Sequence, residues 1–169
     1  MTSILTSTGG KLGLDLDVTD EDICMLKGVR EGYRIEEWNS SCPPDKVVKA
    51  WDRLLFVNDQ SGNLGKLVQM MQVQGMLKLT FQRPTELKVQ LQNEGGIMSI
   101  GLSFYAGAAG LVIAEVKDGL LKKWCQENKV HIKASDRIRT VNGLEGSPDE
   151  LLRELQTSTT LELDILMWQ

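Results

Sequence analysis

The amino-acid sequence predicts an α+β protein built from two copies of one small module. The heptad Asp52–Asn58 returns as Asp136–Asn142 in the second half of the chain. Short runs in which apolar and polar residues alternate predict half-buried strands, and runs with apolar residues three and four apart predict amphipathic helices. Both kinds of run occur in the same order in the two halves. We therefore expect two domains, 1–84 and 85–169, each a small, partly open antiparallel β-barrel or sandwich capped by two helices.

The repeat extends well beyond the heptad, with the order of its parts kept. The matched segments, besides the heptads, are Leu12–Leu14 with Ile100–Leu102, Val29–Gly32 with Val116–Gly119, Trp38 with Trp124, and Met76–Phe81 with Thr160–Ile165. We expect the two tryptophans to pack in the cores.

Composition and charge narrow the classes of function. The chain has 169 residues and a net charge of −4. Nucleic acid and anionic lipid would each require a clustered basic face, and nothing in the sequence favours either as a partner. Its three cysteines, Cys24, Cys42 and Cys125, are widely spaced, which predicts free thiols in a reducing interior. We expect a cytoplasmic protein, or alternatively one from an organelle interior such as the plastid stroma. Whether a transit peptide was removed is left open by the sequence.

The elements of the first repeat follow from local pattern. Leu14, Leu16 and Val18 alternate with aspartates, which predicts a half-buried strand. Pro43 and the proline after it end the preceding helix, since proline lacks the amide proton that a helix needs. The expected strands are 4–6, 14–18, 23–26, 54–57 and 77–81, and the expected helices are 33–39 and 64–71.

The second repeat gives clearer signals in the same order. Ser147 stands where a helix N-cap is expected, followed by a proline and two acids in the first turn. Ile100, Leu102 and Phe104 alternate and predict a strand. The other expected strands are 87–91, 111–113 and 161–165, and the expected helices are 120–128 and one that begins at 148.

This order of elements, with Asp-Arg-Ile-x-x-Val-Asn-Gly before the amphipathic helix, resembles the PDZ domain used twice, over nearly the whole chain. The Trp38-Asn39 helix end, followed by a valine and the Asp-Arg pair, is similar to PDZ modules of unicellular algae. In that family, a glycine-containing loop grips a peptide's C-terminal carboxylate. Here Lys11–Leu14 and Ser99–Leu102 occupy its place.

The resemblance implies a peptide groove in each repeat, lined by the loop, the strand after it and the amphipathic helix. Glycine lets successive N–H groups converge on an anion, and an open strand edge can pair with an extended peptide. The implied peptide-binding residues are Leu12, Gly13, Leu14, Leu64, Val68 and Met71 in repeat one, and Ile100, Gly101, Leu102, Phe104, Leu152 and Leu155 in repeat two.

Several positions depart from the family pattern. Leu64 and Pro148 stand at the first helix position, where the family most often has a ligand-binding histidine. Trp51 and Ser135 replace the glycine that is usual before the Asp-Arg pair.

The two loops also differ in charge. Asp15 and Asp17 follow the first loop, where they would repel a carboxylate unless they face away. We therefore expect a peptide with an apolar C-terminal residue to prefer the groove at Gly101 to the groove at Gly13.

The sequence favours a non-enzymatic adaptor that binds protein partners and needs no cofactor. His131 is the only histidine, no nucleophile motif accompanies it, and the Cys and His spacings match no zinc pattern. The alternative is a structural, peripheral subunit of a large assembly, such as a photosynthetic complex attached to an organellar membrane, with its grooves unused.

Overall fold

The computed structural model describes residues 2–6, 11–73, 75–107 and 109–168. The chain divides into two compact units, Met1–Arg83 (unit 1) and Pro84–Gln169 (unit 2). The division falls within the short linker between the repeats, residues 83–86.

Unit 1 contains an antiparallel sheet with the order β1-β5-β4-β3-β2. Its strands are β1 (Thr2–Thr6), β2 (Leu14–Asp17), β3 (Cys24–Val29), β4 (Arg53–Val57) and β5 (Leu77–Gln82). Its helices are α1 (Arg34–Ser41), a 3₁₀ turn at Pro44–Lys46, and α2 (Leu64–Met71).

Unit 2 has the corresponding sheet order, β6-β10-β9-β8-β7. Its strands are β6 (Thr85–Gln92), β7 (Leu102–Ala106), β8 (Leu111–Val116), β9 (Arg137–Val141) and β10 (Thr160–Met167). Its helices are α3 (Ile97–Ile100), α4 (Leu120–Asn128) and α5 (Pro148–Thr157). The predicted α+β class, with antiparallel strands and helices, is confirmed.

One element prediction is wrong. Ile100 was expected in a strand with Leu102 and Phe104, but it ends α3, and Gly101 then turns the chain with φ +74° before β7 begins. The left-handed turn at Gly101 breaks the alternation that the sequence pattern suggested.

The first residue of each heptad joins the turn before the heptad to the segment after the last strand of its unit. The buried Asp52 carboxylate accepts a hydrogen bond from the Lys49 backbone N–H (3.1 Å) and two from Arg83 (3.0 and 2.9 Å). These bonds fix the segment after β5 against the turn before β4.

Asp136 does the same in unit 2. Its buried carboxylate accepts from the backbone N–H groups of Lys133 (2.9 Å) and Trp168 (3.2 Å). A buried carboxylate needs such partners, because an unpaired one costs free energy.

The last residue of each heptad anchors a hairpin turn. Asn58 adopts φ +52° and exchanges two hydrogen bonds of 2.8 Å with the backbone of Lys78. Asn142 also adopts φ +52° and makes the same two bonds, each 2.7 Å, with Glu162. Asparagine tolerates this left-handed backbone better than most residues, which explains why the heptad ends with it twice.

Each unit buries its own apolar core. Trp38 and Trp124 lie half-buried against the cores of units 1 and 2, as expected. Trp51 and Ser135 both adopt φ +72°, so the backbone before each heptad's aspartate has the conformation that favours glycine.

Candidate peptide-binding grooves

Strands β2 and β7 lie at one edge of their sheets. Among the described residues, β2 pairs only with β3, and β7 only with β8. Each therefore presents one row of backbone N–H and C=O groups to which an extended chain can add.

Helix α2 stands beside this edge in unit 1. The Asn63 side chain caps it by accepting from the Lys66 N–H (3.0 Å), and the Leu64 N–H donates to the Glu21 carbonyl in the turn after β2 (2.8 Å). Leu67 faces the core and is buried. The start of α2 is thus tied to the β2–β3 connection.

The predicted groove residues of unit 1 flank this core face. Leu12, Leu14, Leu64 and Met71 are half-buried and pack against one cluster of buried side chains. Val68 is also half-buried, one residue after Leu67. The structure therefore brings the apolar side chains of loop, strand and helix to a common core.

Helix α5 has the cap that the sequence predicts. Ser147 Oγ accepts from the Glu150 N–H (3.4 Å), and the Glu150 carboxylate accepts in return from the Ser147 N–H (2.8 Å) and hydroxyl (2.7 Å). These hydrogen bonds lower the pKa of Glu150, the side-chain bond with Ser147 being the largest cause.

The predicted groove residues of unit 2 differ in exposure. Leu102 and Phe104 are half-buried and pack on the core, and Leu152 is half-buried on α5. Ile100 and Leu155 are buried completely or nearly so, at 1% and 0% exposed, and belong to the core. Of the two α5 residues assigned to the pocket, only Leu152 presents a solvent-facing surface.

The loop glycines are explained by backbone packing. Gly13 has φ +77°, and a Cβ atom there would lie 2.3 Å from the Cβ of Tyr33. The Gly13 carbonyl accepts from the Arg30 N–H (2.8 Å), and the Leu12 carbonyl accepts from the Ile35 N–H (3.1 Å). This loop is therefore held directly on the start of α1.

Gly101 has the same function in unit 2. A Cβ atom there would lie 2.8 Å from the Asp118 carbonyl oxygen, and the Gly101 carbonyl accepts from the Lys117 N–H (2.7 Å). Both glycines are required by the fold, so their presence is not by itself a sign of a carboxylate-binding loop.

The two aspartates of β2 are not directed freely into a groove. Asp15 lies 3.5 Å from the Lys27 ammonium and 3.6 Å from the Arg30 guanidinium. Asp17 is buried and accepts from the Thr19 N–H (2.9 Å). The charge that was expected to repel a peptide carboxylate in unit 1 is thus partly offset by neighbouring cations.

The structure also brings together two residues that the sequence did not connect. Cys125 on α4 and His131 in the segment after it line one cavity of unit 2. Burial raises the pKa of the Cys125 thiol, which keeps it protonated, whereas a nucleophilic cysteine needs a lowered pKa. The two residues are six positions apart in the sequence, on either side of a helix end, and this spacing matches no motif that would have identified them.

The described residues contain neither a metal-binding cluster nor a membrane-spanning helix. No group of three or more His, Cys, Asp or Glu side chains in the described ranges is placed to hold a metal ion. In the same ranges, no helix has the length and apolar character needed to cross a membrane.

Comparisons with known proteins find similarity among solved structures. No family model matches the chain, and no curated relative does. The chain is similar to INAD PDZ45 in complex with NG2 peptide, at 19% identity over 99% of this chain and 90% of that chain, with a TM-score of 0.43. It is also similar to INAD PDZ45 in complex with NORPA CC-PBM, at 17% identity over 99% and 92%, with a TM-score of 0.42.

Proposed function

We propose that the chain is a tandem PDZ-like adaptor that binds protein partners by strand addition, and that it has no enzymatic role. The observation that carries the proposal is an edge strand and an amphipathic helix that pack on the same core, found in both units. A peptide strand added to β2 or β7 would gain backbone hydrogen bonds, and its side chains would reach the helix.

The half-buried apolar residues support an apolar ligand residue. Leu64, Val68 and Met71 in unit 1, and Leu102, Phe104 and Leu152 in unit 2, offer no hydrogen-bonding group. Covering such side chains gives a favourable free energy of about 25 cal/mol per Å² of apolar surface. A peptide with an apolar C-terminal residue is therefore the ligand class that both grooves favour.

We propose that the unit 2 groove binds such a peptide more tightly. Strand β7 carries no carboxylate, whereas Asp15 on β2 keeps a charge that its partly exposed ion pairs offset only in part. Exposed ion pairs are each worth about 0–1 kcal/mol, so some repulsion of a carboxylate remains. The expected preference is about two- to tenfold in Kd.

Titration of ¹⁵N-labelled protein with a short peptide that ends in valine tests the proposal. We expect shifts along 100–106 and 148–155 at the lowest peptide concentrations. Leu152→Lys should weaken binding, since it places a charge in the apolar groove. The matched variant Val68→Lys in unit 1 should leave the tighter binding event unchanged.

The contrary outcomes are distinct. Shifts confined to 12–18 and 64–71 would assign the main groove to unit 1. Amidation of the peptide's C-terminus without effect would mean that neither loop holds the carboxylate. No shifts with any peptide would favour the structural subunit of a large assembly.

We propose a reducing compartment, the cytoplasm or an organelle interior such as the plastid stroma. Cys24, Cys42 and Cys125 are all free in the structure, and two of them are buried. Burial raises the pKa of Cys24 to about 12, so this thiol stays protonated and unreactive. Purification without reductant, followed by thiol counting under denaturing conditions, should recover three thiols.

A further inference from the structure

We propose that unit 2 has a second binding site, beside the strand β8 that pairs with β7, for a small ligand with an apolar body and an anionic head group. The site is a cavity of about 470 Å³ between the end of β8, helix α4 and residues 130–134. Its volume lies within the range of small-molecule sites, roughly 300–1,000 Å³. The proposal does not depend on peptide binding by either groove.

The cavity begins where two strands separate. Strand β8 pairs with β9 only at Leu111 and Val112. Two further hydrogen bonds of 2.8 Å join Ile113 to Ser135 and Asp136. Beyond that point, β8 continues to Val116 without a backbone hydrogen bond to the segment 130–134 among the described residues, and the cavity opens between them.

Unit 1 closes the corresponding junction with an amide clamp. The Asn39 side chain donates to the Val48 carbonyl (2.6 Å) and accepts from the Val48 N–H (2.8 Å). These two bonds hold the segment before the heptad directly on α1. The position after the repeated tryptophan is Asn39 in unit 1 and Cys125 in unit 2, and a thiol is too short and too weak a hydrogen-bonding group to make this double contact.

One part of the cavity wall is apolar. Val116, Val130 and the buried Ile132 line it together with Cys125, whose residue surface is 8% exposed. Burial raises the pKa of the Cys125 thiol, and a hydrogen bond with the Ile132 backbone offsets part of this effect. The thiol is consequently neutral at physiological pH, which suits an apolar ligand body.

The rim of the cavity selects the head group. Lys122 binds Asp118 (2.6 Å), and Glu115 lies 3.8 Å from Lys117, so these charges are matched locally. Lys133, whose ammonium has no ion pair among the described residues, is exposed and is one of the residues that line the cavity. An anionic group at the rim would meet this ammonium while the rest of the ligand covers the apolar wall.

The experiment uses 8-anilinonaphthalene-1-sulfonate, a fluorescent apolar anion, as the probe and octanoate as its competitor. We expect probe fluorescence to rise with the full-length protein and octanoate to displace it. In ¹⁵N spectra, the shifts caused by octanoate should fall on 114–116, 122–126 and 130–134. Octanoate should also slow alkylation of Cys125 but leave that of the half-buried Cys42 unchanged.

Two variants make the assignment specific. Ala134 is exposed at the cavity, so Ala134→Trp should fill the cavity and lower octanoate affinity at least about tenfold, which corresponds to about 1.4 kcal/mol. Lys133→Glu should lower it by about two- to fivefold. Lys49→Glu is the matched control, because Lys49 holds the same place before the unit 1 heptad and should have no effect.

The opposite results overturn the proposal. One is that neither the probe nor octanoate binds at millimolar concentration. The others are octanoate-induced shifts confined to the β2 or β7 grooves, or an octanoate affinity that is unchanged in Ala134→Trp. Dispersed ¹⁵N spectra of each variant establish that a loss of binding is not a loss of fold.

Discussion

At the residue scale, the repeated heptad is a set of backbone anchors. Asp52 and Asp136 each accept hydrogen bonds from the turn before the heptad and from the segment after the last strand. Asn58 and Asn142 each bind the last strand through side chain and backbone. The heptad recurs because its two polar ends hold the same three segments together in each unit.

Removal of the Asp52 carboxylate should therefore destabilise unit 1. Asp52→Ala leaves the Arg83 guanidinium and the Lys49 N–H without their partner, and hydrogen bonds to charged groups are each worth about 1.5–3 kcal/mol. We expect a loss of roughly 2–4 kcal/mol in the free energy of unfolding, measured by urea denaturation. The control is Asp59→Ala, which removes an exposed pair with Lys78 and should cost about 0–1 kcal/mol. Equal effects of the two substitutions would contradict the anchoring role.

Substitution of Ser135 by glycine should stabilise unit 2. Ser135 adopts φ +72°, and a left-handed backbone costs a non-glycine residue about 1–2 kcal/mol. The greater entropy of glycine in the unfolded chain offsets part of this stabilisation. We therefore expect the free energy of unfolding, measured by heat or urea, to rise by about 0.5–1 kcal/mol. Ala134→Gly, at a neighbour without positive φ, should instead destabilise. A destabilising Ser135→Gly would show that the serine side chain outweighs the backbone strain.

At the element scale, the sequence predicted most strands and helices but missed the turn at Gly101. Ile100, Leu102 and Phe104 alternate like a strand, yet α3 is only four residues long and too short to show helical periodicity. The surroundings of Asp15 were also beyond the sequence, because they depend on two cations, Lys27 on β3 and Arg30 just after it. The α5 cap, in contrast, is local and was predicted from Ser147, Pro148 and the acids that follow.

The α5 cap predicts a pH dependence. The pKa of Glu150 is lowered in the folded state by its bonds from Ser147, so its contribution to stability is present above the unfolded pKa near 4.5 and is lost as pH falls through the folded pKa. Glu150→Gln should therefore lower the melting temperature at pH 7 and have less effect near pH 3. Glu127→Gln, at an exposed carboxylate on α4, is the control that leaves the Glu150 surroundings in place. A Glu150→Gln effect that is the same at both pH values would contradict the capping contribution.

At the scale of the whole molecule, each unit has its own buried core and its own anchored segment after the last strand. The repeat in the sequence predicted two similar units, because matching segments recur in the same order. The cavity at Cys125 could not be predicted from the sequence, since it depends on how α4 and residues 130–134 pack in the folded unit. Sequence repetition thus indicates the shared architecture, and the departures from repetition indicate where the units differ in local structure.

The end of unit 1 should be sharply defined. Arg83 belongs to unit 1 through Asp52, so a fragment of residues 1–83 should fold and a fragment of 1–82 should be markedly less stable. The expected difference is roughly 2–3 kcal/mol, which is the loss of hydrogen bonds to a buried carboxylate. Urea unfolding of the two fragments measures it. Equal stability would mean that Arg83 is not part of the folded unit.

The most direct test of strand addition is amide hydrogen exchange of the full chain with and without the valine-ending peptide. A strand added to β7 accepts hydrogen bonds from every second backbone N–H along that edge. We predict slower exchange at alternate amides of Leu102–Ala106, with the amides of β8 unchanged. Peptide binding that leaves every amide of β2 and β7 as exposed to exchange as before would contradict strand addition as the function of this protein.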